Sequence, residues 1–173
     1  MAVPGKAVVA LIGLLAFSSA VFAQSEGEDE YKVWQETEVK FPAAPQEKNL
    51  TPFFVSAATD NRFLVDTSTL TVGADGVVRY VLVVITPQGA RNVTFEGMRC
   101  ETSERRIYAL GRRDGEWSLA RNSGWGRIKN VDANRHHAAL FLEYFCPSGL
   151  IVRNAEEAKG ALVRGIHSDN IRW

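Results

Sequence analysis

The stretch ADGVVRYVLVVI, residues 74–85, is the clearest indication of the fold because it joins the best turn signal in the chain to its strongest strand pattern. Asp75-Gly76 tolerates the positive φ angles of a tight turn, and the valines beside it favour strands, so the pair predicts a two-residue hairpin turn. Val77 to Ile85 is apolar on both faces in its second half, which is typical of a strand inside a sheet. We therefore expect a hairpin whose second strand is central.

The segments on either side of this hairpin extend the sheet. Alternating apolar positions and turn residues predict further strands over residues 62–66, 68–72, 92–101, 105–112 and 116–120. Asp114-Gly115 is a second two-residue turn signal, and the prolines between residues 42 and 52 predict an extended stretch before the first strand. Neighbouring strands joined by short turns run antiparallel, so we expect an antiparallel β-meander of about five strands.

The period of the apolar residues changes after the Gly124-Trp125-Gly126 loop. Residues 134–146 carry apolar side chains at helical spacing, and Pro147 ends the pattern. Residues 154–164 predict a second helix, with Asn154 as its N-cap. The fold class that follows is α+β, an antiparallel meander with one or two C-terminal helices packed on one face.

The turn positions also predict which residues share a face of the sheet. A two-residue turn at Asp75-Gly76 pairs Val72 with Arg79, and the next hairpin sets Arg79 opposite Gly97, which leaves room for a large side chain. One face then carries the side chains that we expect to form the core, Leu70, Val72, Val81, Val83, Val93 and Phe95. The other face is more polar and carries Thr71, Tyr80, Leu82, Thr94 and Glu96.

Arg79 and Arg99 lie at one end of the predicted core face, where a buried arginine requires a counter-charge. The first interpretation is an internal ion pair, for which Asp66 is our first choice and Glu143 or the terminal carboxylate of Trp173 are alternatives. The second interpretation is an anion-binding cleft, which makes Arg79 and Arg99 the candidate residues for a small anionic ligand. The aromatic side chains also have two interpretations, in which they either fill the core or line a groove.

Cys100 and Cys146 are the two cysteines of the chain. In an exported protein they most simply form one structural disulfide, which for a loop of this length stabilises the fold by about 4 kcal/mol in the chain-entropy account. A metal or redox pair is the alternative. The chain has no C-x-x-C, however, and a helix would point the adjacent His136 and His137 about 100° apart. We expect no metal site and no cofactor.

The first 23 residues predict a cleavable export signal. Lys6 precedes an apolar run over residues 8–17, which is too short to span a bilayer. Val21-Phe22-Ala23 fits a cleavage site, so Ala23 and Gln24 flank the predicted cut. After it we expect an acidic, disordered leader over residues 24–33, one globular domain over residues 34–173, and no transmembrane helix.

The charges and motifs of the chain exclude several function classes. Lys plus Arg and Asp plus Glu both number 20, so the net charge gives no reason to expect a nucleic-acid partner. The sequence has no G-x-S-x-G, no H-E-x-x-H, no P-loop and no G-x-G-x-x-G. No known catalytic motif therefore identifies an activity.

Three stretches of the chain resemble the cryptic neisserial protein family, namely Asp75-Gly76-Val77-Val78-Arg79-Tyr80, Phe95-Glu96-Gly97-Met98-Arg99-Cys100 and Tyr144-Phe145-Cys146. The resemblance runs from about residue 34 to residue 146. The cryptic neisserial protein family consists of small exported proteobacterial proteins of unknown function. The resemblance implies a protein of the Gram-negative envelope, so we expect a periplasmic location, and it brings no catalytic residues to this chain.

The leading hypothesis for function is a non-catalytic periplasmic module that binds an envelope protein or a small anionic ligand. Its competitors are a hydrolase that uses Glu96 or His137 and a structural accessory of an outer-membrane assembly. A deep cleft holding a carboxylate or histidine with a strongly shifted pKa would favour the enzyme. A flat apolar patch or a free sheet edge would favour protein binding.

Overall fold

The computed structural model describes residues 1–2 and 33–170. The predicted signal peptide with its cut between Ala23 and Gln24, the acidic leader up to residue 32, and the chain end at Trp173 lie outside the described residues. The chain divides into two units at Val33 and Trp34, and the described sheet and helices belong to the second unit. Among the described residues, no helix is both long and apolar enough to cross a membrane.

The described residues of the second unit form one antiparallel sheet of seven strands with helices after it, which confirms the predicted α+β meander. In chain order the strands are β1 (Leu50–Phe53), β2 (Arg62–Val72), β3 (Val77–Ile85), β4 (Arg91–Arg99), β5 (Glu104–Gly111), β6 (Trp117–Leu119) and β7 (Gly126–Arg127). They pair in the order β1 to β6, and β7 pairs with β5. Strands β1 and β7 were not predicted, because β1 contains a proline at the sheet edge and β7 has two residues.

Three hairpin loops, those before and after β3 and the one after β5, contain three residues each. At Asp75-Gly76 and Asp114-Gly115 this is one residue more than the two-residue turns that we predicted, whereas the loop after β3 gives the predicted pairing of Ile85 with Arg91. Residues 74–76, 87–89 and 113–115 each form a three-residue loop that ends in a glycine at positive φ. In the first loop the N–H of Gly73 donates to the carbonyl of Val77 at 2.9 Å. The pairing of β2 with β3 near the turn is therefore shifted, and Thr71, not Val72, faces Arg79.

Strand β2 also carries an irregularity that changes which of its side chains share a face. The pairing moves from Asp66 opposite Val81 to Thr71 opposite Arg79 across this point. The carboxylate of Asp66 accepts hydrogen bonds from the N–H and the hydroxyl of Ser68, at 2.9 and 2.6 Å. This local turn joins the two short strands that the sequence predicted into one strand.

The predicted helices are both present, although the first is not a regular α-helix. Residues 132–145 form one helical segment, which comprises a 3-10 turn (Asp132–Asn134), α1 (Arg135–Ala139) and a π-helical turn (Leu140–Phe145). In the π-turn the N–H of Cys146 donates to the carbonyl of Phe141, five residues earlier. Helix α2 (Ala155–Arg164) has the predicted N-cap, because Asn154 Oδ1 accepts from the N–H of Glu157 at 2.9 Å.

The two faces of the sheet are covered by different parts of the chain. The helix face carries Val78, Tyr80 and Leu82 of β3 and packs against the 132–145 helical segment and α2. A disulfide between Cys100 and Cys146, with Cα atoms 5.4 Å apart, links the end of β4 to the end of that segment, as the sequence predicted. The helices therefore pack on the face that we expected to be more polar.

The opposite face, called the segment face, carries Arg79, Val81 and Val83 of β3. It is covered by residues 34–46, the covering segment, which has no helix or strand, as its prolines predicted. Trp117 Nε1 donates to the carbonyl of Pro42 at 2.7 Å and holds this segment to β6. The predicted core face is wrong in part, since Leu70 packs with the helices while Val81, Val83 and Phe95 form the smaller core under the covering segment.

Candidate functional site

A cavity of about 560 Å³ opens between the helix face, the start of the 132–145 helical segment and the β1–β2 loop. We call it the helix-face pocket. Most of its wall is apolar or uncharged, and its lining includes Val55, Ala58, Phe63, Leu82, Val84, Thr94, Glu96, Ile107, His136 and His137. A volume in this range suits a small organic ligand.

Glu96 and His137 form a buried pair in the wall of this pocket. Glu96 on β4 is 1% exposed and His137 on α1 is 4% exposed. His137 Nε2 lies 2.8 Å from Glu96 Oε2, which also accepts from the hydroxyl of Tyr80 at 3.0 Å. The hydroxyl of Thr94 donates to Glu96 Oε1 at 2.6 Å. Both carboxylate oxygens are therefore engaged by donors from two strands and a helix.

These contacts decide the charge of Glu96. Burial alone would raise its pKa, but the attraction of His137 and the hydrogen bonds from His137 and Thr94 outweigh burial and lower the pKa to about 2. An ionised carboxylate can only accept hydrogen bonds, so Nε2 of His137 carries the proton in their contact. Nδ1 of His137 has neither solvent contact nor a partner among the described residues.

His136 lies beside this pair with its partly exposed ring in the pocket wall. Its ring stacks on Phe63 with centroids 5.2 Å apart and planes inclined by 17°, and it lies 4.0 Å from the ring of His137. Burial and the neighbouring imidazole lower the pKa of His136 to about 4. The ring is therefore neutral near pH 7 and offers one donor and one acceptor.

The charged groups at the mouth of the pocket are paired with each other. Arg135 donates to Asp132 Oδ1 at 2.5 Å and to the hydroxyl of Ser56 at 3.3 Å. The guanidinium and carboxylate therefore compensate one another at the rim. Within the described part of the chain, no group of three or more His, Cys, Asp or Glu side chains is arranged to hold a metal ion.

Arg79, one of the two candidate binding residues from the sequence, lies on the segment face, away from this pocket. Its guanidinium donates to both oxygens of Asp75, at 3.1 and 2.6 Å, and lies 3.4 Å from Glu36 Oε1 in the covering segment. Asp66 is therefore the wrong partner, because its carboxylate is used by Ser68. The carboxylate of Asp75 neutralises Arg79, so the expectation of an internal carboxylate is right. A role for Arg79 in binding a ligand stays a prediction.

Glu36 extends this network along the segment face. Its carboxylate accepts from Arg106 at 2.6 Å and from the hydroxyl of Tyr108, which also occupies the space beside Gly97. A Cβ at Gly97 would lie 2.3 Å from the Tyr108 oxygen, so only glycine fits there. The room that the sequence predicted beside Gly97 is filled by an aromatic ring.

Arg99, the other candidate binding residue, lies on the same face as Arg79, as the sequence predicted. Its guanidinium lies 3.7 Å from the centroid of the Trp34 ring and 3.5 Å from the carboxylate of Glu104. It therefore anchors the start of the covering segment. Whether Arg99 also binds a ligand stays a prediction.

The grouping of Glu96, His136 and His137 was missed by reasoning from the sequence, although Glu96 and His137 were named for a hydrolase. The predicted pairing of β3 with β4 was right, and it sets Tyr80 opposite Glu96. A glutamate opposite a tyrosine on the face that a helix covers was the available signal. The bond to His137 joins residues 41 positions apart and has no local signature.

Comparison with known proteins identifies a family and no individual relative. No curated protein and no solved structure matches the chain significantly. The profile of the CNP1-like family matches residues 29–163, well over half of the chain. The match continues beyond residue 146 and takes in most of α2. The chain therefore belongs to the CNP1-like family, in agreement with its resemblance to the cryptic neisserial protein.

Proposed function

We propose that this chain is an exported, non-catalytic binding protein whose ligand site is the helix-face pocket. The observation that carries the proposal is a cavity of about 560 Å³ with a largely apolar wall, in which the buried carboxylate is already satisfied by protein donors. Concave, mostly apolar sites with a few polar groups are the usual form of small-molecule sites. The ligand is thus a small molecule.

The titration of the pocket groups favours binding over catalysis. A general acid or base works best with a pKa near the operating pH. Here the pKa of Glu96 is lowered to about 2 and that of His136 to about 4, so both groups are weak bases near pH 7. A carboxylate whose two oxygens accept three hydrogen bonds also has little capacity left for a substrate.

Export to the periplasm is part of the same proposal. The signal-like pattern of residues 1–23 supports it, since a charged start, a short apolar run and a small-x-Ala site define secretory signals. The disulfide between Cys100 and Cys146 also supports it, because such bonds persist in oxidising compartments. Amino-terminal sequencing of the protein from a periplasmic fraction tests it. Gln24 is the expected first residue, and intact Met1 on membrane-bound protein would contradict it.

The binding proposal is tested with two neighbouring alanines of the β1–β2 loop. Ala58 and Ala57 are both exposed, but Ala58 lines the helix-face pocket and Ala57 does not. The probe is N-phenyl-1-naphthylamine, an uncharged apolar dye whose fluorescence rises in apolar sites. We expect Ala58→Trp to weaken dye binding at least tenfold and Ala57→Trp to leave it within twofold. Equal binding by both variants, or no saturable binding by the wild type, would refute the proposal.

A hydrolase is the second candidate, and one observation favours it. A buried carboxylate that orients an imidazole is the arrangement that supports nucleophilic catalysis, and Nδ1 of His137 is free of partners in the described residues. That nitrogen has no solvent contact, so a substrate could reach it only after a local movement. Hydrolysis of p-nitrophenyl acetate that disappears in His137→Gln and survives in His136→Gln would establish the enzyme.

A further inference from the structure

We propose that the ligand of the helix-face pocket is an uncharged, largely apolar molecule whose single polar group, a hydroxyl or an amide, pairs with the ring of His136. This inference rests on the proposed function and deepens it by naming the ligand class. It differs from the anionic ligand that Arg79 and Arg99 suggested, because those side chains lie on the segment face.

The first support is the placement of His136. Its ring stacks on Phe63 and lies 4.0 Å from the ring of His137, and these two contacts hold its orientation before a ligand arrives. Neither ring nitrogen bonds to any residue in the described ranges, and the ring lines the cavity. A held imidazole with free hydrogen-bonding capacity loses little side-chain entropy when it binds a partner.

The second support is the charge balance of the wall. The carboxylate of Glu96 already accepts hydrogen bonds from three protein donors, and Arg135 is paired with Asp132 at the rim. A charged ligand would lose its hydration on entering the pocket. Among the described lining residues no unpaired opposite charge would replace that hydration, so binding a charged ligand is costly. An uncharged ligand avoids this cost.

The third support is the composition of the remaining wall. Phe63, Leu82, Val84 and Ile107 supply apolar surface, and the other polar lining side chains are hydroxyls and amides such as Thr59 and Asn92. An apolar body of about ten to fifteen heavy atoms fits such a space and gains most of its affinity from burial.

The test uses three ligands that share one naphthalene ring and differ in one substituent: 1-naphthol, 1-methylnaphthalene and 1-naphthoate. Their affinities are measured by displacement of N-phenyl-1-naphthylamine from the wild type, His136→Phe and His136→Gln. Phenylalanine keeps the stack on Phe63 and removes the hydrogen bond, whereas glutamine keeps a donor and an acceptor. Ala57→Trp serves as the control for a variant outside the pocket.

Naphthol should bind at least tenfold more tightly than naphthoate in the wild type. The ratio of naphthol to methylnaphthalene affinity should fall about threefold to tenfold in His136→Phe, as expected for one hydrogen bond, and less in His136→Gln. An unchanged ratio in His136→Phe, or naphthoate as the tightest ligand, would overturn the inference while dye binding in the pocket stands. No displacement by any of the three ligands, with the dye bound, would also overturn it. Loss of dye binding in the wild type would instead overturn the proposed function.

Discussion

The two faces of the sheet differ in what surrounds their buried charges. On the segment face, Arg79 forms ion pairs with Asp75 and with Glu36 of the covering segment. On the helix face, the Glu96–His137 pair lies beside an open cavity. Both clusters contain buried ion pairs, so ion pairs alone do not mark a site. What distinguishes the helix face is the larger space next to the charges, about 560 Å³ beside Glu96 and His137 against about 330 Å³ beside Arg79.

The difference also separates stability from binding. Removing one partner of a buried ion pair leaves an uncompensated charge, which is costly whether or not a ligand ever binds. We therefore expect variants on the segment face to lower the free energy of unfolding without changing ligand affinity. Variants at the pocket wall should change ligand affinity, and those that touch Glu96 should change both.

The largest effect should follow from Arg79→Ala. Loss of the guanidinium leaves Asp75 and Glu36 without their shared donor, and we expect the free energy of unfolding to fall by about 3 kcal/mol. Asp75→Ala should have a similar effect, and the double variant should be far from additive because the two side chains touch. Urea unfolding at pH 7 measures all three.

Asp66→Ala is the matched control for this cycle, since Asp66 was the partner predicted from the sequence. Its loss should destabilise through the Ser68 contacts and combine additively with Arg79→Ala. A coupling between Asp66 and Arg79 larger than that between Asp75 and Arg79 would contradict the described network.

A smaller effect is expected from Glu96→Gln on the other face. Glutamine keeps the shape but removes the charge that holds His137, Tyr80 and Thr94, so we expect a loss of about 2 kcal/mol. Glu104→Gln is the control, because Glu104 pairs with Arg99 at 3.5 Å near the surface and such pairs contribute at most about 1 kcal/mol. Equal losses for the two variants would show that the Glu96 cluster has no special contribution.

The smallest effect concerns pH and His136. Its pKa is about 4 in the folded protein and 6.5 in its ordinary state, so the unfolded chain binds more protons between these values. Stability from this group is present above pH 6.5 and is lost as the pH falls toward 4. The loss should be about 1–2 kcal/mol, below the full shift because the ring is partly solvated. The difference in stability between pH 7 and pH 4.5 should shrink in His136→Gln, and an unchanged difference would be evidence against a depressed pKa.

The sequence predicted the central part of the fold well and its edges poorly. Val77–Ile85 was predicted from an apolar run, and Asn154 from its capping chemistry, because both signals are local. The turn predicted at Asp75-Gly76 was one residue shorter than the observed loop, because a glycine at positive φ fits two-residue and three-residue loops equally. That single residue moved the end of β2 by one position and changed which of its side chains face the helices.

The site was less predictable than the fold for a physical reason. Glutamate and histidine are residue types that hydrolases use, so Glu96 and His137 could be named from the sequence. Their contact, however, depends on how a helix packs across a sheet. The cavity depends further on the β1–β2 loop, whose position no periodic pattern specifies. The pairing of Arg79 with Asp75 was within reach, because the two residues are only four positions apart across the turn.

The most direct test of the central claim is a map of backbone amide chemical shifts in the wild-type protein as N-phenyl-1-naphthylamine is added. We expect saturable shifts confined to residues around the helix-face pocket, such as Leu82, Thr94 and His136. The amides of Arg79 and Arg99 should stay unchanged. Shifts centred on Arg79 and Arg99, with the pocket residues unaffected, would contradict this expectation and would place the binding site on the segment face.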